Sequence, residues 1–426
     1  MPLTWQKREV RTISAGEVLV KNLYTTICGS DLHTYSGARK EACPTVLGHE
    51  ITGRVVEIGA AHSGLDDAGQ PLQQGDIVTW SVFSSDARSS CSLRGMPQKG
   101  DQLFKYGHAQ IEGAEVFHGG LAEYCILKAG TAILKIPEDM PLPVAATINC
   151  AIATVAGALR LAGDIKGKKV LITGMGLLGL TCAAMCKEAG AEWIIAADID
   201  DRRLETALQF GADAAINMQS IAGDVDMLRG NKTDIAFDMS GSPDAIEYGL
   251  NALAIGGVAV WVGTVFNTRK IQVDAERIIR SLITIKGLHN YNFEDFRYAL
   301  EFMTAHWNRY PFGGVVEKEF PLTAAEAAFE YALTHKPLRV GVRIYNKYLT
   351  QTDHEEGIPQ TTVGNAAGYH AVLPVFLYRP SQLWMGSYEY GHRAACILRA
   401  HRLDKLCYAD WLCHRAVRER QSCRSF

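Results

Sequence analysis

Val170-Leu-Ile-Thr-Gly174-Met-Gly176-Leu-Leu-Gly179 is an apolar run of strand character that passes directly into a GxGxxG pattern. Its glycines have separate uses: Gly174 permits a tight turn, Gly176 lets backbone approach a pyrophosphate, and Gly179 lets the following helix pack against the strand. A helix starting there directs its positive end at phosphate. A lone GxGxxG is weak, but here Ala196-Ala-Asp198 also closes the next apolar run, at the spacing of a ribose-binding acid. An aspartate there accepts from both ribose hydroxyls and repels a 2′-phosphate, which favours NAD over NADP. Arg202 and Arg203 pull the other way, since either can meet a phosphate, and Asp198 also reads as a strand-end or helix-capping acid.

Outward from this unit the alternation continues. Helical sequence runs through Leu180–Glu188 and Arg202–Phe210, and strands are expected at Lys169–Thr173, Trp193–Asp198, Ile235–Asp238 and Val258–Gly263. Such repetition over residues 151–288 predicts a doubly wound parallel sheet. Residues 1–150 are instead rich in β-branched runs, such as Val18-Leu-Val-Lys21 and Ile77-Val-Thr-Trp80, between Gly and Pro punctuation, as in a small β-barrel. Residues 289–345 carry an amphipathic helix near Asp295–Thr304 and a strand near Val340–Ile344, and are expected to rejoin the first domain.

Residues 346–426 show no sustained period and end in a Cys-, His- and Arg-heavy run from His392 to Cys423. An added segment, a poorly ordered tail and translation out of frame all remain open. The spacing of Cys407, Cys413 and His414 fits no zinc motif well, and this stretch is assigned no function.

At 426 residues the chain exceeds the usual single-core limit of about 250–300 residues, which implies more than one domain. It is 47% hydrophobic and 21% charged with a net charge of −3, so no broad basic field points to nucleic acid or anionic lipid. The amino terminus lacks an apolar signal region, and no run of about 18 apolar residues was expected to span a membrane. A cytoplasmic protein is expected. Its 11 cysteines then read as reduced thiols and metal ligands rather than a disulfide framework.

Three distant strings, Cys28-Gly-Ser-Asp-Leu-His33, Gly48-His49-Glu50 and Asn149-Cys150-Ala-Ile-Ala-Thr154, together offer a Cys/His/Cys set able to hold one zinc with an open position. Two thiolates and an imidazole leave zinc formally neutral yet still a Lewis acid. Taken singly, Cys28 or Cys150 also reads as a small buried hydrophobe and His49 as a core histidine. Zinc beside a dinucleotide site points to hydride transfer.

In this order, the Cys28–His33 string, Gly48-His-Glu50, Gly119-Gly-Leu-Ala-Glu-Tyr124 and the glycine fingerprint resemble the zinc-dependent medium-chain dehydrogenase/reductase family, which contains alcohol and sorbitol dehydrogenases. The resemblance spans residues 10–345 and implies a GroES-like β-barrel catalytic domain joined to a Rossmann domain. It implies catalytic zinc on Cys28, His49 and Cys150, with Asp31 accepting from the ligand histidine and Glu50 as an acid near the metal. Ser30 and His33 match a proton relay, although His33 also reads as a surface histidine after a turn. Thr154 matches a residue near the nicotinamide, Val262 and Gly263 a cofactor-contacting strand end, and Arg339 a basic residue reaching cofactor phosphate. Gly287–Tyr291 is expected where the domains meet. Relatives of this kind form dimers or tetramers, so a homodimer or homotetramer acting on a small alcohol or aldehyde is expected.

Gly130–Lys135, Asn149–Thr154, Met96–Lys99 and Lys105–His108 are similar to the branch described as phosphonate-catabolism-associated alcohol dehydrogenases. One departure stands out. Many relatives hold a second zinc on four cysteines, and here those positions fall on Asp86, Ser89, Ser92 and Gly100, with Cys91 one residue out of register. One thiolate cannot build a tetrahedral structural site, so one zinc per chain is expected. Two other readings stand beside the dehydrogenase: a zinc-free quinone or enone reductase on the same architecture, and a catalytically silent nucleotide-binding protein.

Overall fold

The computed structural model describes residues 3–219, 232–344 and 372–378 of the chain. In chain order the strands are β1 (Leu3–Glu9), β2 (Val18–Ile27), β3 (Glu50–Ile58), β4 (Ile77–Ser84), β5 (Phe104–Lys105), β6 (Tyr124–Leu127), β7 (Thr131–Lys135), β8 (Lys169–Thr173) and β9 (Trp193–Asp198). They continue with β10 (Ala214–Asn217), β11 (Thr233–Asp238), β12 (Leu253–Trp261), β13 (Thr284–Gly287), β14 (Val316–Pro321), β15 (Arg339–Arg343) and β16 (Val372–Tyr378).

β2 organises an eight-stranded, largely antiparallel sheet. It pairs with β3 along most of its length, with β6 at Val18–Lys21 and with β15 at Tyr24–Ile27. Its sequence lacks clean alternation because both faces are covered. Val20, Ile51, Trp80, Tyr106 and Ile133 pack together on one side, and Leu19, Leu47, Phe117, Phe329 and Val342 on the other. β14 runs parallel to β15 in the same sheet. Residues 316–343 therefore return to the sheet begun by residues 18–27.

Register in this sheet matters for the site. Thr26 lies opposite Glu50 on β3 and opposite Gly341 on β15, while Ile27 faces Val340. Arg339 is thereby delivered beside Glu50 and the residue that follows β2, Cys28.

The second sheet has six parallel strands in the order β10-β9-β8-β11-β12-β13. Counted from β8 this is 3-2-1-4-5-6, and the order reverses between β8 and β11, where such sheets bind dinucleotides. Val170–Thr173 are all buried, as expected of a strand covered on both faces. The helix after β8 spans Leu177–Glu188 and begins immediately beyond Gly176, three residues before the sequence pattern suggested. Leu142–Ala162 is long and apolar enough to cross a membrane, a span the sequence reading did not find, but 83% of its apolar stretch is buried inside the fold. It is read as a core segment.

The tail carries an element that periodicity did not reveal. β16 pairs antiparallel with β1, from Leu3 opposite Tyr378 to Glu9 opposite Val372, and Leu377 is buried in the cluster containing Leu3 and Val10. An edge strand needs only a partner edge and one covered face, which leaves little trace in a seven-residue sequence. Cys407, Cys413 and His414 lie outside the described residues.

Candidate active site

The chain leaves β2 at Ile27 and turns at once into a helix, Gly29–Tyr35, with Cys28 in extended conformation at its N-cap. Asp31 in the first turn suits the positive end of that helix. Its carboxylate is fully buried and accepts from the Cys28 N–H at 3.0 Å, the Gly48 N–H at 3.2 Å and His49 Nδ1 at 3.2 Å. One side chain thus joins two segments distant in sequence. By engaging Nδ1 it leaves His49 Nε2 free to act as a ligand, with Ser30 Oγ 3.4 Å away.

Cys150 comes from a π-helical turn, Ile148–Ile152, of the kind that often marks functional positions. Its neighbour Asn149 donates through Nδ2 to the carbonyl of His49 at 2.9 Å and of Trp80 at 2.8 Å. The Tyr291 hydroxyl donates to the Asn149 carbonyl and accepts from the Val82 N–H at 3.0 Å. The ligand atoms of Cys28, His49 and Cys150 all lie within 4.8 Å of one another. Among the described residues no fourth Cys, His, Asp or Glu joins them. Two sulfurs and one imidazole nitrogen so gathered suit zinc, with a position left over for substrate. Hydrogen bonding to Cys150 draws the Cys28 thiol well below its ordinary range against the effect of burial, and Arg339 adds to the pull.

Glu50 and Arg339 form a buried two-pronged pair, Nε to Oε2 at 2.7 Å and Nη2 to Oε1 at 2.8 Å. Thr26 Oγ1 also donates to Glu50, Arg339 Nη1 donates to the Leu338 carbonyl at 2.8 Å, and Arg339 Nη2 lies 3.9 Å from Cys28 Sγ. Burial pushes the Glu50 carboxyl up to about 7, against the attraction of Arg339. Arg339, expected from the resemblance to reach cofactor phosphate, pairs with Glu50 here. Its guanidinium is committed to Glu50 beneath the sulfur set, because β15 is in register with β2.

His33, on the same helix as Ser30, packs at a tilt against Phe266 with ring centroids 4.6 Å apart. Burial lowers its pKa, which favours the neutral ring. Phe266 belongs to the loop after Gly263 and, with Arg39, Thr264, Leu288 and His289, lines a cleft of about 690 Å³. The Gly287–Tyr291 segment thus borders the cleft through Leu288 and His289, and its Tyr291 also supports Cys150.

At the parallel sheet, Gly174 has φ +89°, and a Cβ there would lie 2.6 Å from the Ser240 nitrogen. A Cβ on Gly179 would fall 2.0 Å from the Gly174 carbonyl oxygen, whereas one on Gly176 would meet nothing within 4 Å. Two of the glycines are therefore required by the protein's own packing. The third faces open space at a helix N-terminus, a cradle suited to pyrophosphate. Asp198 accepts from the Met175 N–H inside that turn, and from Ile199 and Asp200 N–H at 2.7 and 3.0 Å. Arg202 is exposed and pairs with Asp200 at 3.2 Å, while Arg203 donates to the Lys336 carbonyl at 3.2 Å. Thr154 lies in the first turn of the Ala153–Ala162 helix, and Val262 is buried at the end of β12. Gly263 packs so closely on Gly241 that a Cβ would lie 2.2 Å from its nitrogen.

Sequence reading missed Asp238, which ends β11 and accepts from Thr173 Oγ1 at 3.2 Å, Ser240 Oγ at 2.7 Å and the Gly241 N–H. It fixes the loop that closes over Gly174. A short polar residue at the end of a buried strand was the available signal. In the lobe where relatives carry cysteines, Ser89 and Ser92 share a hydrogen bond at 2.8 Å, and Ser92 lies 3.0 Å from Ser85. A Cβ on Gly100 would approach Ser85 Oγ to 2.4 Å. Hydroxyl contacts hold together positions that the cysteine alignment also brings together.

Fold and site together define a two-sheet dehydrogenase with a Cys/His/Cys metal set. The family description "Alcohol dehydrogenase GroES-like domain" fits residues 14–138, and "Zinc-binding dehydrogenase" fits residues 178–305. An L-threonine 3-dehydrogenase of Pyrococcus horikoshii is 34% identical over 281 residues, covering 64% of this chain and 75% of that one. An alcohol dehydrogenase structure from Thermotoga maritima aligns with TM-score 0.73 at 25% identity, over 79% of this chain and 94% of that chain. A zinc-binding dehydrogenase structure from Sinorhizobium meliloti, bound to NADP, aligns with TM-score 0.69 at 21% identity, over 80% and 99% of the respective chains, and supports the fold. The chain belongs to the zinc-dependent medium-chain dehydrogenase/reductase family, with a GroES-like sheet and a Rossmann sheet.

Proposed function

We propose that this protein is a zinc-dependent, NAD-linked oxidoreductase interconverting a small alcohol and its aldehyde or ketone. The observation that carries the reading is the Asp31 carboxylate, which draws Cys28, Gly48 and His49 together beside Cys150. Zinc on Cys28, His49 and Cys150 would supply a Lewis acid for the substrate oxygen, and a nicotinamide cofactor at the glycine turn would exchange hydride with the substrate carbon. Ser30, within reach of the metal set, takes the alcohol proton; His33, whose neutral form burial favours, passes it outward. Glu50, held by Arg339, keeps a carboxyl at the back of the set without filling the open position.

The glycine turn and Asp198 favour NAD over NADP, with Arg203 and the Thr154, Val262 and Gly263 backbone completing the cofactor side. Residues 1–150 and 289–345 are assigned to the barrel domain and 151–288 to the cofactor domain. The same reading places the enzyme in the cytoplasm, with one zinc per chain and an alcohol of a phosphonate pathway among its candidate substrates. Exposed Ile255, Ile279 and Leu282 beside the outer strand β13 support assembly as a homodimer or homotetramer.

Metal analysis of the purified chain, followed by alcohol screening with NAD and NADP, tests the reading. Close to one zinc, NADH formation, and loss of both metal and activity in Cys150→Ser are expected. Turnover that survives complete zinc removal would favour the quinone or enone reductase instead, and zinc and NADH binding without any turnover of alcohols or carbonyls would favour a silent nucleotide-binding protein.

A further inference from the structure

The cleft beside His33 has a charge pattern that neither hydride transfer nor cofactor binding uses. Arg39 and Lys40 line one wall and His289 another. Lys99 Nζ donates to His289 Nδ1 at 2.7 Å, and Lys105 Nζ reaches Asn290 Oδ1 at 3.4 Å. Both lysines come from the stretch around the serine-substituted lobe, and both point to the 289–290 corner. Neither ammonium forms a close ion pair among the described residues, although Glu41 attracts Lys105 from a distance. The carboxylate placed among these cations is Glu41, ion-paired with Arg39, its Oε1 3.3 Å from His108 Nδ1.

His108 connects this wall to the metal set, its ring tilted against that of His49 with centroids 4.8 Å apart. Arg39, Lys40, Lys99 and Lys105 therefore gather with one carboxylate, Glu41, around an open cleft lined by Arg39, Lys40, Phe266 and His289, and His108 links Glu41 to the ligand histidine. Burial and the neighbouring charges of Lys99 and Arg39 lower the Lys105 pKa, and burial with the same cations drives His289 down to about 4. Arg39 and Lys105 are half-buried while Lys40 and Lys99 are exposed, and with Glu41 already paired to Arg39 these cations leave a positive surplus that an anion would relieve.

We infer that the cleft selects an alcohol whose far end carries an oxyanion, a carboxylate, phosphate or phosphonate, held by Arg39, Lys99 and Lys105 while its hydroxyl lies at the Cys28/His49/Cys150 set. This rests on the dehydrogenase reading above and names its substrate class. A cofactor pyrophosphate is the competing source of negative charge. The open Gly176 turn already offers that group a place on the other sheet.

The test uses three alcohols of matched length: 1-butanol, 4-hydroxybutanoate and 3-hydroxypropylphosphonate, oxidised by the zinc-loaded full chain at saturating NAD. Wild type should prefer at least one anionic alcohol over 1-butanol by more than tenfold in kcat/KM, and the better of the two distinguishes carboxylate from phosphonate. In Lys99→Gln/Lys105→Gln that preference should fall about ten- to a hundredfold, the scale of losing charge-assisted hydrogen bonds. Calorimetric binding of the unreactive butanoate and propylphosphonate to wild type and variant gives a reading independent of turnover, with NADH affinity measured alongside. Binding of either anion by wild type, weakened in the variant with NADH affinity intact, supports the inference. Failure of wild type to bind either anion, an unchanged preference in the variant, or a loss confined to NADH affinity would overturn it. Anion binding without zinc binding or any hydride transfer would sink the dehydrogenase reading alone.

Discussion

Replacing the Asp31 carboxylate with an amide would weaken three hydrogen bonds at once, those to Cys28, Gly48 and His49. Asn at this position retains the size but not the charge that orients His49. Asp31→Asn should therefore lower zinc affinity about 10- to 100-fold while the protein stays folded, measured by competition with a chelator. Zinc affinity within twofold of wild type would show that the carboxylate is not positioning the ligand.

His118 offers a second prediction at the same scale. It is buried on the barrel side, edge-on to Phe104, with neither ring nitrogen hydrogen-bonded, and burial lowers its pKa from 6.5 to about 4. The unfolded chain therefore binds a proton that the folded chain refuses between those values. The penalty is absent above about pH 6.5, grows as pH falls and levels off below about pH 4, reaching on the order of 3 kcal/mol. His118→Leu should flatten that part of the stability curve in denaturant melts taken between pH 4 and 7. A parallel loss of stability in wild type and variant over this range would assign the acid sensitivity elsewhere.

At the scale of elements, the turn from β8 into the Leu177–Glu188 helix separates packing from binding. Gly179→Ala places a methyl against the Gly174 carbonyl and should cost about 3 kcal/mol, seen as a lowered Tm. Gly176 has ordinary φ and open space beside it, so Gly176→Ala should leave Tm nearly unchanged yet weaken NADH binding at least tenfold, because the methyl projects where phosphate approaches. Equal effects of the two changes on Tm and NADH affinity would contradict this division. The glycine pattern was legible in the sequence, since each glycine has a spacing-defined use. Arg339 was not: its role depends on β15 lying against β2 in one register, and Glu50 is 289 residues away in the chain.

At the scale of the molecule, β16 sets what truncation should do. Every proposed zinc, relay and cofactor residue lies before Tyr345, and the described part of the tail contributes one strand and the buried Leu377. A chain ending at Asn346 should bind zinc and NADH with affinities within twofold of the full chain. It should lose about 2 kcal/mol from the uncovered leucine and become less soluble because β1 gains a free edge. Loss of cooperative unfolding would show that the tail is part of the core.

The sequence by itself determined the strand-glycine-helix unit, the parallel alternation around it, and the residue types able to hold zinc. These are local patterns, written in periodicity and in side-chain chemistry. Only the tertiary structure decided that Asp31 joins Cys28 to His49, that Asn149 and Tyr291 seat Cys150, and that Arg339 pairs with Glu50. It also gathered Arg39, Lys99 and Lys105 around one cleft, and paired β16 with β1. Each of these depends on strand register and on contacts between segments tens to hundreds of residues apart. Such contacts form only once the two sheets have folded, and no local spacing encodes them.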